Sequence, residues 1–170
     1  MATPSREEAV VEVEGLHSQF RSLLRQVAGR ELEREGTIGG GDWSVRDLVG
    51  HVMSWEELAL GAIRGRRAGR GATPPDLPLD DLNAKMVLEK RELALADLLA
   101  GAEDTHAQLL QAIREVPEPT WYSRAEEAES GGPSLGERVG QLLGSDEALY
   151  HHLDAHLGDL RDYRDRGAAG

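Results

Sequence analysis

A chain of 170 residues, 39% of them hydrophobic and none of them cysteine, can bury its own core as one domain without a disulfide or a thiolate metal site. Lys and Arg number 19 against 31 Asp and Glu, and the net charge of −12 repels phosphate backbones and anionic membrane surfaces. Aromatics make up 4%, which disfavours an all-β fold and favours packed aliphatic helices. No stretch approaches the roughly 18 apolar residues of a membrane span. Glu7 and Glu8 stand where a secretory signal would be apolar, so a cytoplasmic location is the expectation.

The first predicted helix opens at Ser5-Arg6-Glu7-Glu8, a capping box, and aligns Val13, Leu16, Phe20, Leu23 and Val27 on one face. Gly36 to Gly41 breaks the chain. A second helix starts at Ser44, with Asp47 three residues on and Trp43 and Leu48 placed as a hydrophobic staple. Its stripe is Leu48, Val52, Trp55, Ala59 and Ile63, and it dissolves at Arg64 into an Arg/Gly/Pro-rich loop. A short helix over Leu82 to Arg91 comes next. A longer one carries Leu95, Leu99, Ala102, His106, Leu109, Ile113 and Val116 until Pro117 and Pro119 end it.

After a Gly-rich loop, Ser134 and Glu137 form a second capping box for a last helix running to about Arg166. Its seam is Leu135, Val139, Leu142, Asp146, Leu149, Leu153, His156, Leu160 and Tyr163. Four long amphipathic helices with long connections predict an all-α four-helix bundle over residues 1–170.

The polar residues on these seams carry the chemistry. A buried unpaired polar group costs about 1–3 kcal/mol, so each needs a partner. His152 and His156 stand four apart on one helical face, a separation that lets both bind one ion, and His51 lies on the apolar side of the second helix. Three neutral nitrogens from two helices leave coordination positions open, as in catalytic rather than structural metal sites. His151 is turned about 100° from His152 and points away from such an ion.

His106 has no partner at ligand spacing and is expected as a hydrogen-bonded core or pocket histidine, with His17 at the solvent edge. Trp55, one turn beyond His51, is a candidate to line a pocket or to serve as core. Asp146, Glu56, Asp154 and Asp159 compete to orient a ligand imidazole. The cluster Arg64, Arg66, Arg67 and Arg70 reads as a solvated loop end, or else as an attractor for anionic groups.

The segment Trp43-Ser44-Val45-Arg46-Asp47-Leu48-Val49-Gly50-His51-Val52-Met53-Ser54-Trp55-Glu56 resembles the second-helix signature of the DinB-like four-helix bundles. That superfamily includes mycothiol-dependent maleylpyruvate isomerases and bacillithiol S-transferases. Leu82-Asn83 and the run from Tyr150 to His156, followed by Asp159-Leu160-Arg161, extend the resemblance. It implies a metal held by His51, His152 and His156, although in some members the position of His152 is a glutamate. Asn83 joins Trp55 and His106 as a pocket-lining candidate. A related branch, the colibactin self-protection proteins, shares the bundle and the Leu-Asn segment but lacks the three histidines, which this chain keeps.

The resemblance therefore implies a metal-dependent S-transferase or isomerase. A divalent ion such as zinc or nickel would activate a low-molecular-weight thiol that attacks a small-molecule electrophile. Without cysteine, the nucleophile comes from outside. The alternatives are a hydrolase using metal-bound water and a non-catalytic protein that sequesters a small ligand or metal. An interaction module with structural histidines is a further reading. A homodimer is the family's implication, and neither nucleic acid nor membrane is expected as a partner. The superfamily's name reflects damage-inducible expression and implies no contact with DNA.

Overall fold

The computed structural model describes residues 3–38, 42–67, 77–124, 132–145 and 148–168. Among these there are seven α-helices and no strand: α1 (Arg6–Leu24), α2 (Val45–Arg67), α3 (Leu79–Arg91), α4 (Leu95–Glu115), α5 (Glu118–Trp121), α6 (Leu135–Leu142) and α7 (His152–Ala168). No helix is long and apolar enough to cross a membrane. α2 packs against α3, α4 and α6, and α1 packs against α4 and α7. The bundle is thus α1, α2, α4 and the broken pair α6–α7, with α3 laid against α2. Positions 39–41, 68–76, 125–131 and 146–147 lie outside the described residues. Much of the predicted loops and Asp146 fall there.

Local sequence sets the helix starts. Both expected capping boxes form, Ser5 with Glu8 and Ser134 with Glu137. At α2 the Ser44 amide donates to Asp47 Oδ2 at 3.0 Å, and the Asp47 amide donates to Ser44 Oγ at 3.1 Å. Asp47 then accepts two bonds from Arg91, at 2.8 and 2.7 Å. Burial raises the Asp47 carboxyl, but the bonds from Arg91 and Ser44 outweigh that and hold it below its ordinary value. This pair ties α3 to the start of α2. Gly50 lets the two helices cross closely, since a Cβ there would stand 2.8 Å from that of Lys90.

The boundaries differ from expectation in four places. α1 ends at Leu24, before Val27, and a short 3₁₀ turn follows at Gly29–Glu31. α2 runs to Arg67, past the loss of its apolar stripe at Arg64. α3 starts at Leu79, one turn before Leu82. The predicted last helix is two helices. Residues 143–145 and 148–151 leave the helical path, and Tyr150 takes a left-handed backbone with φ 65°.

Three bonds fix that break. The Tyr150 amide donates to the Gly140 carbonyl at 3.0 Å, its hydroxyl donates to the Gly136 carbonyl at 2.6 Å, and the His152 amide donates to the Leu143 carbonyl at 2.8 Å. The buried Tyr150 ring sits against Gly140, where a Cβ would meet it at 2.7 Å. Gly140 thus makes room for the tyrosine that ends one helix and starts the next, and the Gly136 carbonyl holds its hydroxyl.

The apolar core falls into two clusters. One gathers Val10, Val13, Leu60, Ile63, Leu109, Ile113, Trp121 and Val139. The other gathers Leu16, Phe20, Leu48, Val52, Leu98, Leu153, Leu157 and Leu160. Buried His17, Glu56, Thr105 and His106 occupy the helical levels between them.

Two glycine substitutions check this packing. Gly136→Ala drives a methyl to 2.5 Å from Trp121 Nε1 and is expected to destabilise by about 1–3 kcal/mol. Gly61→Ala, with nothing within 4 Å on an exposed helical face, is expected to stabilise by about 0.5–1 kcal/mol. Urea unfolding of both variants measures the difference, and equal effects would contradict the packing described.

Candidate metal centre

His51 projects from α2, while His152 and His156 occupy the first turn and a half of α7. His152 is the first residue of its helix, so the Tyr150 turn places it. Its Nε2 lies 2.9 Å from His51 Nε2 and 3.3 Å from His156 Nε2. The three ring centres are 4.8, 5.2 and 5.0 Å apart, and each pair meets edge to face. Imidazoles that share one ion at about 2.0–2.1 Å, at tetrahedral angles, have nitrogens about 3.3 Å apart and ring centres about 5 Å apart. The residues fit a metal on that test.

Two tryptophans hold the His51 ring. Trp43 packs on it with centres 4.8 Å apart, and Trp55 stands edge-on at 6.4 Å. Trp55 also meets the His152 ring at 5.7 Å, and its Nε1–H donates to Asn83 Oδ1 at 3.2 Å. Trp55 therefore adjoins His51 and His152, and Asn83 reaches them only through Trp55. His51 Nδ1 is buried and makes no hydrogen bond among the described residues. Its orientation comes from aromatic packing rather than from a carboxylate.

Burial pushes His51 down to about 2, helped by the neighbouring histidines, and pushes His152 down to about 3. His156 is also lowered by burial, against an opposing pull from Asp159. All three are neutral near pH 7, the form that binds metals. His151 faces the other way, with Nε2 3.4 Å from Glu12 on α1.

A second cluster, which sequence reasoning missed as a unit, brings together His17, Glu56 and His106. Glu56 Oε1 lies 2.8 Å from His106 Nδ1 and 3.8 Å from His17 Nδ1. His17 was expected at the solvent edge but is only 5% exposed, because it takes the inner position of α1 between Val13 and Phe20. Glu56 orients no triad imidazole; its partner is His106. Its place on the α2 stripe, four residues after Val52 and three before Ala59, was the available signal. Asp154 and Asp159 are exposed.

The same residue types make this a rival metal site, and ring geometry separates the two. His17 and His106 stack face to face, 3.5 Å between centres and 11° between planes. Parallel rings that close cannot both aim a lone pair at one ion, so the second cluster is built as a hydrogen-bonded Glu56–His106 pair with His17 stacked on it. A cavity of about 20 Å³ lies between the two clusters, lined by Glu56 and His152 with Val52, Leu143, Tyr150 and Leu153.

Two arginines of the expected loop end are engaged instead. Arg64 donates to Gln108 at 2.6 Å and Arg66 donates to Ser123 at 3.0 Å. The side chain of Arg67 and all of Arg70 lie outside the described residues.

Solved structures share this architecture. An uncharacterised protein from Escherichia coli UTI89 superposes with a TM-score of 0.78 at 17% identity, covering 96% of this chain and 95% of that one. The colibactin self-resistance protein ClbS, solved in complex with double-stranded DNA, gives 0.75 at 18% identity over 96% and 98%. A mycothiol-dependent maleylpyruvate isomerase gives 0.71 at 18% identity, covering 94% of this chain but 63% of that protein. At these identities the likeness is one of fold. No curated protein matches the sequence. The model of the mycothiol maleylpyruvate isomerase N-terminal domain matches residues 13–156, a span that holds all three histidines. The chain therefore belongs to the mycothiol maleylpyruvate isomerase N-terminal domain family, within the DinB-like bundles.

Proposed function

We propose that the protein is a metal-dependent enzyme that transfers a low-molecular-weight thiol to, or isomerises with it, a small electrophile. The observation that carries this reading is the convergence of His51, His152 and His156 at ring separations that suit one shared ion. His51, His152 and His156 would hold such a divalent ion, zinc or nickel among the candidates, and it would supply the charge that lowers a thiol's pKa. The chain contains no cysteine, so the sulfur belongs to the cosubstrate.

The protein's own groups do the rest. Three neutral imidazoles leave the full charge of an ion available for the incoming anion. Half-buried His152 and His156 keep one side of the centre reachable, while Trp43 and Trp55 close the other. The partner is a small molecule rather than nucleic acid, because the net charge of −12 opposes a phosphate backbone. ClbS was solved with DNA, which makes this an experimental question for the present chain.

Cobalt-loaded protein tests the reading. Adding mycothiol is expected to produce a sulfur-to-cobalt charge-transfer band in the wild type and none in His51→Ala. Absence of the band with any thiol, together with substrate turnover in its absence, would replace the transferase by a hydrolase. Wild-type metal content in His152→Ala, purified without a histidine tag, would sink the assigned ligands.

Burial also sets a pH dependence. Folded His17, His51 and His152 titrate at about 4, 2 and 3, whereas unfolded histidines take up protons near 6.5. Below about pH 6.5 the unfolded chain binds more protons, so metal-free stability falls as pH drops from there toward the folded values. Denaturant titrations between about pH 7.5 and 5 are expected to show that loss, and a shallower one in His51→Leu. A flat profile would contradict the burial of neutral imidazoles.

A further inference from the structure

Glu56 belongs to both halves of the polar layer. Its carboxyl is 5% exposed and lines the same small cavity as His152, yet it also contacts His106 and faces His17. The cavity, at about 20 Å³, has room for roughly one water molecule.

His17 is the unusual member. Neither ring nitrogen makes a hydrogen bond, though both are buried. A neutral imidazole always carries one N–H, and leaving it unpaired costs about 1–3 kcal/mol. Packing alone would be served better by leucine at this position. What surrounds the ring is a carboxylate at each edge: Glu56 Oε1 is 3.8 Å from Nδ1, and Glu103 Oε1 is 3.5 Å from Nε2. Adjustments of less than about 1 Å bring both into hydrogen-bond range. Glu103 is 48% exposed and is steadied by Arg21 at 3.1 Å, so the outer end of the row reaches water.

We propose that Glu103, His17 and Glu56 form a proton relay from solvent to the cavity beside the three histidines, with Glu56 as the group that gives or takes the proton there. Inward transfer is balanced: Glu56 gives its proton to a base in the cavity and takes the Nδ1 proton of His17, while His17 Nε2 takes a proton from Glu103 and Glu103 takes one from water. His17 ends as the other tautomer and resets when Glu56 takes up a proton released in the cavity and the row runs outward, so that a full cycle moves one proton in and one out.

The groups facing Glu56 are His17 from α1, His106 and Glu103 from α4 and, across the cavity, His152 from α7. Burial raises Glu56 and lowers His17 to about 4, reversing the usual order of carboxyl and imidazole. Burial thus favours the protonated form of Glu56, the form a donor requires. His106, bonded to the same oxygen, is a positioning residue. The use made of the delivered proton rests on the metal-centre reading; the existence of the relay does not.

Infrared spectroscopy of the full chain, metal-free and zinc-loaded, tests it. The wild type is expected to show the carbonyl stretch of a protonated buried carboxyl near neutral pH, and Glu56→Gln to lack it. After rapid mixing into D₂O, that band is expected to shift roughly tenfold or more slowly in Glu103→Gln and His17→Gln than in the wild type. Glu103 is half exposed, so its variant leaves the fold intact. A wild type without the band, retention of the band in Glu56→Gln, or wild-type exchange in either relay variant would overturn the relay. Failure of the wild type to bind zinc would sink the metal reading and leave the metal-free arm decisive.

Discussion

The constraint on which this structure depends is a layer of polar side chains set across the middle of an otherwise aliphatic bundle. His17, Glu56, Thr105 and His106 lie between two apolar clusters on α1, α2 and α4, and His152 lies at the corresponding level where α6 gives way to α7. Each buried polar group stabilises the fold only if its partners are in place. The layer therefore fixes the register of four helices relative to one another more tightly than interchangeable aliphatics would. The break at Tyr150 serves the same end. A continuous last helix would leave no sharp turn at Tyr150, whereas the turn built on Gly136 and Gly140 puts His152 at the start of α7, opposite His51.

Two groups of nearly the same composition stand side by side in this layer and differ in geometry. The outer group places three imidazole rings edge to face about 5 Å apart, with neutral nitrogens converging. The inner group stacks two rings in parallel against one carboxyl. Coordination requires lone pairs that converge, and proton transfer requires a row of donors and acceptors. The cavity between Glu56 and His152 joins the two.

Much of this was legible in the chain because helices announce themselves locally. Capping boxes at Ser5 and Ser134 and aliphatic spacing of three and four give the helices and their faces. His152 and His156 could be read as a pair because four residues make one turn, His51 stood out on the apolar side of the second helix, and the resemblance joined the three. The break after Leu142 was hidden because Leu149, Leu153 and Leu160 keep a helical spacing across it. Only tertiary contact reveals that Tyr150 fills the space over Gly140. The inner cluster escaped for the same reason: His17, Glu56 and His106 come from three helices, and no sequence spacing relates them. A charged residue on an apolar stripe, as Glu56 is, marks such a place even when its partner cannot be named.

The central claim is that one divalent ion sits on His51, His152 and His156. Anomalous diffraction at the metal edge from crystals of the loaded protein tests it most directly. The account predicts a single strong peak within about 2.0–2.2 Å of all three Nε2 atoms and none beside Glu56. A peak between His17, Glu56 and His106, or an ion bound by only two of the three named histidines, would contradict it.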